Sequence, residues 1–177
     1  MPDDRGNAET FEALALPLLA PLYNFAHWLT GNRDEAEDLV QETYVKALKG
    51  FSSFSLGTNF RAWMYRILRN TFLTSRTGLE QTVSLDDEEN AVVEPAANDD
   101  PESLLFARAD QEEIRRALEQ LPVAHREIIL LCDVEEMSYK EIAELVGIPM
   151  GTVMSRLSRA RRAMRGLLRT KVQGVRA

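Results

Sequence analysis

"SYKEIAELVGIPMGTVMSRLSRARRAMRGLLR", residues 138–169, is the stretch whose reading decides the fold. Ser138 followed three residues later by Glu141 is a capping-box pattern, so a short helix is predicted to start there. Ile142, Leu145 and Val146 give that helix its buried side. Gly147 suits the left-handed residue that ends a helix, and Pro149 blocks continuation. Thr152 is placed to cap a second helix, in which Val153, Leu157, Ala160 and Met164 share one face. Helix, glycine turn, then a helix with an early apolar anchor is helix-turn-helix chemistry. In that arrangement the second helix lies in the DNA major groove and its first residues meet base edges.

The polar positions suit that use. Thr152, Ser155, Arg156 and Arg159 lie off the apolar face near the helix start. A good bidentate arginine–guanine pair is worth about 1–3 kcal/mol of discrimination. Arg161, Arg162, Arg165 and Arg169 lie further on, where phosphates are expected. Residues 151–177 carry net charge +8 with no acidic side chain, although the whole chain carries −7. The excess negative charge lies elsewhere: −11 in residues 79–113, −3 in 114–150 and −1 in 1–78. A basic end beside an acidic middle suggests an anionic partner for that end only.

Outward from the C-terminal motif, residues 79–100, "LEQTVSLDDEENAVVEPAANDD", have linker composition. Asp100 and Pro101 read as the N-cap and first turn of a helix running to Pro122. A further helix is expected in "VAHREIILLCDV". Upstream, residues 11–78 show three helical faces. The first is Leu18, Leu22, Phe25, Ala26 and Leu29. The second is Ala36, Leu39, Val40, Thr43, Tyr44, Ala47 and Leu48, with Asn32 and Glu35 as a capping box and Gly50 as a stop. The third is Phe60, Trp63, Met64, Ile67, Leu68, Thr71 and Phe72. No period of two occurs, so the expected fold is all-α: two small helical domains, 11–78 and 101–170, joined by an acidic flexible linker, 79–100.

Composition narrows the function classes. With Cys132 the single cysteine, no internal disulfide framework or multi-cysteine zinc site is possible. His27 and His125 lack ligand spacing, so no metal site and no cofactor are expected. Cys132 sits in an apolar run and reads as a structural thiol, and Met137, Met150, Met154 and Met164 read as packing. No run of about 18 apolar residues suggests a transmembrane helix. The acidic start "MPDDRGNAETFEAL" lacks an apolar signal core, and a soluble cytoplasmic protein is expected. No nucleophile–base pair or phosphate-binding glycine loop points to an enzyme.

Three stretches in order, "DEAEDLVQETYVKAL" (34–48), "NFRAWMYRILRNTF" (59–72) and "YKEIAELVGIPMGTVMSRLSRARRAMR" (139–165), resemble bacterial RNA polymerase sigma factors. The short two-domain form is similar to the extracytoplasmic-function group, and "LGTNFRAW" resembles its redox-responsive branch, which pairs with zinc-containing anti-sigma factors. The resemblance implies a subunit that binds core RNA polymerase and directs it to promoters. It implies an anti-sigma partner and no membrane span.

It also implies site residues. Asp38, Gln41 and Glu42, on the polar side of "AEDLVQET", would meet the polymerase. Asn59, Arg61, Tyr65, Arg66, Arg69 and Asn70 would serve the minus-ten element, where basic groups beside an aromatic suit single-stranded DNA. Phe51 and Phe54 would be wedges or loop anchors, and Trp63 a core residue. Thr152, Ser155, Arg156, Arg159 and Arg162 would read the minus-thirty-five duplex. Met154 stands where some relatives carry arginine, and Ser158 where some carry an aromatic, so no relative's upstream consensus carries over. The rival reading is a helix-turn-helix regulator without initiation activity, which leaves the 34–72 motifs unexplained.

Overall fold

The computed structural model describes residues 4–77 and 110–174, with side chains over 6–77 and 110–169. The proposed linker 79–100 and the expected helix start at Asp100 lie outside the described residues. The described residues form helices joined by short turns, with no strand among them. The chain divides into two compact units, Met1–Thr82 and Val83–Ala177.

The first unit holds α1 (Asp4–Ala15), α2 (Leu19–Thr30), α3 (Arg33–Gly50) and α4 (Phe60–Thr77), with 3-10 turns at Leu16–Leu18 and Phe51–Ser53. Gly31, at φ 68°, ends α2 and donates its N–H to the His27 carbonyl at 2.8 Å. Asn32 then caps α3, its side chain accepting from the Glu35 N–H at 3.0 Å. The Glu35 carboxylate pairs with Arg76 of α4 at 3.0 Å and so ties the start of α3 to the end of α4. Leu22, Phe25, Ala26 and Leu29 of α2 pack with Ala36, Leu39, Val40, Thr43 and Ala47 of α3 and with Phe60, Met64, Tyr65, Leu68, Thr71 and Phe72 of α4. The two buried threonines bond back to carbonyls one turn earlier, Thr43 to Leu39 at 2.7 Å and Thr71 to Ile67 at 2.8 Å. Leu48, expected on the buried face, is exposed. It lies about 100° round the helix from Ala47, which holds the core position.

The second unit holds α5 (Gln111–Gln120), α6 (Val123–Ile129), α7 (Tyr139–Val146) and α8 (Met150–Gly174). Asp110 is extended and caps α5 in a full capping box with Glu113. Of the helix expected from Pro101 to Pro122, residues 101–109 lie outside the described residues, and among the described ones it begins at Gln111 after an extended Asp110. The Arg126 guanidinium donates to the carbonyls of Leu118, Glu119 and Leu121 and closes the C-terminal end of α5. α6 continues as a π-helix, Leu130–Val134, where the Glu135 N–H reaches back five residues to the Leu130 carbonyl at 2.9 Å.

Candidate nucleic-acid and polymerase interfaces

The helix-turn-helix is built from local signals. The Ser138 hydroxyl accepts from the Glu141 N–H at 3.2 Å, and the Glu141 carboxylate accepts from the Ser138 N–H at 2.8 Å. Gly147, at φ 79°, closes α7, and both Gly147 and Ile148 donate N–H groups to the Ala143 carbonyl. α8 begins earlier than expected. The Val153 N–H bonds the Pro149 carbonyl at 3.1 Å, so Thr152 sits inside the first turn rather than capping it. Ile142 and Leu145 of α7 are buried, as are Val153, Leu157, Ala160 and Met164 of α8, while Val146, expected beside Leu145, is half-buried.

On the other sides of α8, Thr152, Ser155, Arg156 and Arg159 are half-buried and Arg162 is exposed. The Ser155 hydroxyl donates to the Thr152 carbonyl at 3.2 Å, and Arg159 Nε lies 3.4 Å from the Ser155 carbonyl. Three readings of this helix change. Arg161, expected on phosphate, instead embraces Asp133 of the π-helix, with Nε to Oδ2 at 3.2 Å and a second contact from Nη2 to Oδ1. Met150 and Met154, expected as packing, are 52% and 51% exposed. Cys132 is half-buried at the same joint, with Arg161 Nη2 3.9 Å from its sulfur. Burial, reinforced by the Asp133 charge, pushes its thiol above the ordinary value, against the reactive thiolate.

In the first unit, Asp38, Gln41 and Glu42 are all exposed along α3, and Glu42 pairs with Lys46 at 2.8 Å. Asn59 is exposed but caps α4, its side-chain oxygen accepting from the Ala62 N–H at 3.0 Å. Arg66 and Asn70 are exposed, and Arg61 and Arg69 half-buried. Tyr65 departs from expectation: it is fully buried, edge-on to Phe25 at 5.2 Å, with the Arg61 guanidinium 5.3 Å over its ring. A ring held there offers no free face to a base. Phe51 and Phe54 stack at 6.0 Å, and Phe54 lies 4.9 Å from the half-buried Trp63. Both phenylalanines are thus loop anchors beneath the Ser55–Thr58 turn, itself closed by the Thr58 hydroxyl on the Ser55 carbonyl.

This pairing of an α2–α4 unit with a helix-turn-helix unit matches known proteins. The family model for Sigma-70 region 2 matches residues 14–80, and that for Sigma-70 region 4 matches residues 111–164. The ECF RNA polymerase sigma factor EcfG of Rhodopseudomonas palustris is 35% identical over 153 residues, covering 86% of this chain and 82% of that one. The chain belongs to the sigma-70 family. Its relatives place it in the ECF group, among promoter-directing sigma factors. SigE of Mycolicibacterium smegmatis is 35% identical over 149 residues, which span 83% of this sigma factor but 57% of SigE. Among solved structures, the sigma factor RpoE bound to the anti-sigma factor NepR from Bartonella quintana superposes with a TM-score of 0.69 at 32% identity, covering 91% of this chain and 98% of that one. CnrH in complex with the cytosolic domain of CnrY gives 0.67 at 25% identity, covering 94% and 92%. Among the described residues, no helix of this sigma factor is long and apolar enough to cross a membrane.

Proposed function

We propose that this sigma factor divides its work between its two domains, residues 11–78 and 101–170, with 79–100 as the connecting linker. The first binds core RNA polymerase through Asp38, Gln41 and Glu42, and opens the minus-ten element with Arg61, Arg66, Arg69 and Asn70. Asn59 shapes that surface by capping α4, and Tyr65 by supporting Arg61 from below. The second reads the minus-thirty-five duplex through Thr152, Ser155, Arg156, Arg159 and Arg162 of α8. The observation that carries the reading is that helix: a buried apolar stripe behind it, a capped α7 and glycine turn before it, and arginines on its outer sides. Charge-assisted contacts to guanine and phosphate are what such a surface makes.

Working with the polymerase places the protein in the cytoplasm. An anti-sigma factor is the expected inhibitor, since RpoE of Bartonella quintana is held by one in its solved complex. The finer reading, a zinc-containing redox partner, rests on the "LGTNFRAW" resemblance, and zinc content of a co-purified partner tests it. The experiment for the main reading is run-off transcription with purified core polymerase on a promoter library. Transcript from a defined promoter class, lost with Arg156→Ala plus Arg159→Ala, supports the division of labour. Duplex binding with no transcript in the presence of core polymerase overturns it.

A further inference from the structure

We propose that Met150 and Met154 form an apolar reading pair for thymine methyl groups in the upstream duplex, and so help set promoter choice. The inference rests on α8 being the recognition helix, as argued above. The two side chains are 52% and 51% exposed on the first two turns of α8. They are four residues apart, so they lie one above the other on one side of the helix. Neither is needed to fill the core. Val153, Leu157, Ala160 and Met164 already do so, each 1% exposed or less. Together they make a small exposed apolar patch at the start of α8, which an apolar partner would cover.

The nature of that partner follows from the surroundings. No acidic residue follows Glu144 in the sequence, and of the arginines on these and the next turns Arg162 lies about 80° round the helix from Met154, with Arg156 and Arg159 on its far side. The occupant is therefore a polyanion that also presents small apolar groups at the depth of the helix. Duplex DNA meets both demands: phosphates flank the major groove, and the thymine C5-methyl is the apolar group on its floor. Methionine suits the task, since its unbranched, polarisable thioether adapts to a small target. A guanine or cytosine edge at the same place would lose water to a side chain that returns no hydrogen bond, so the pair also rejects those bases.

The test uses holoenzyme assembled from core polymerase and the full chain, with a promoter selected by that holoenzyme from a library randomised upstream. Each upstream thymine is replaced in turn by deoxyuridine, which removes the methyl and nothing else. At one or two positions affinity should fall about threefold to fourfold, the worth of one buried methyl. With Met150→Ala plus Met154→Ala that sensitivity should vanish, and with Met154→Leu it should persist. Met154→Arg should move the preference at its position towards guanine. Circular dichroism confirms that each variant folds. Uracil tolerated at every upstream thymine, or equal sensitivity in the double alanine variant, overturns the proposal. Arg156→Ala separates the two levels: if it relaxes base preference while uracil is neutral, the recognition helix stands and only the methionine reading falls. If no substitution in α8 alters upstream preference, both fall.

Discussion

Replacing Arg161 by glutamine tests whether the basic face of α8 is smaller than its sequence suggests. Arg161 is bound to Asp133, and the two side chains are 27% and 28% exposed. Fully exposed ion pairs contribute about 0–1 kcal/mol. Hydrogen bonds to charged groups reach about 1.5–3 kcal/mol. A two-point pair about three-quarters shielded lies between, so the loss should be about 1–2 kcal/mol. For a unit of this size that corresponds to a melting temperature about 5–10 °C lower. Asp133→Asn should cost a similar amount. The double variant should cost clearly less than the sum, with a coupling of about 1 kcal/mol. DNA binding provides the second arm. A phosphate contact contributes about 0.9 to the slope of log affinity against log salt. Arg162→Ala should lower the slope by that amount, whereas Arg161→Gln should leave it unchanged. A salt titration of holoenzyme on promoter DNA measures both. A slope lowered by Arg161→Gln, with no coupling to Asp133 in thermal unfolding, would refute the reasoning and return Arg161 to the phosphates.

Four further outcomes follow from the geometry. Tyr65→Ala should destabilise the first unit by about 3–5 kcal/mol, as large-to-small aromatic truncations do, while Tyr65→Phe keeps the ring under Arg61; denaturant unfolding measures both. Asp38→Ala and Gln41→Ala, at exposed sites, should weaken core polymerase binding without altering circular dichroism, and unchanged affinity in both would sink the α3 assignment. Gly147→Ala should cost about 1–2 kcal/mol from backbone strain alone, because φ is +79° and nothing lies within 4 Å of the added Cβ. Hydrogen bonds from Arg115 and then Arg116 hold the Glu112 carboxyl at about 2, below the ordinary 4.5. Its folded-state value is depressed, so its contribution is present above 4.5 and lost as pH falls from there through about 2. An NMR titration of Glu112 should show that midpoint in the native chain, and Arg115→Gln should raise it.

The helix-turn-helix was legible because its instructions are local. Ser138 with Glu141, Gly147 and Pro149 each act within four residues, and the apolar anchors of α8 recur at helical spacing. The same code is present at α5, where Asp110 and Glu113 form a capping box ten residues beyond the Asp100–Pro101 signal. Tyr65 was misplaced for a different reason. It sits at the edge of the α4 stripe, and an aromatic with a polar tip suits either side of such an edge. Burial against Phe25 decides it, and that contact joins residues 40 positions apart. The π-helix at Leu130–Val134 and the Arg161–Asp133 pair were illegible on the same ground. Nothing in "LLCDV" distinguishes a five-residue hydrogen bond from a four-residue one, and the partner arginine is 28 residues away. The exposure of Met150 is not legible in the sequence, because it stands three and seven residues before the buried anchors Val153 and Leu157 and so falls on their helical face.

That an acidic chain carries so basic a helix now has a physical account. Charges separated by more than about 8 Å are largely screened in physiological salt. The net −7 is a sum over the whole chain, and the stretch that contains most of α8, residues 151–177, alone carries +8. Nor is all of that +8 presented outward, since Asp133 neutralises Arg161 at the joint between the π-helix and α8. The pairing serves geometry: it fixes the rotation of α8 on the segment that follows α6. On the first two turns of α8, Met150 and Met154 are exposed about 120–180° round the helix from Arg156 and Arg159. A helix that carried only arginines would hold DNA indiscriminately, because phosphate contacts position and base contacts specify. In the proposed reading, the charge left on Arg156, Arg159, Arg162 and the residues beyond leaves affinity to be completed by the polymerase, and discrimination to the first two turns.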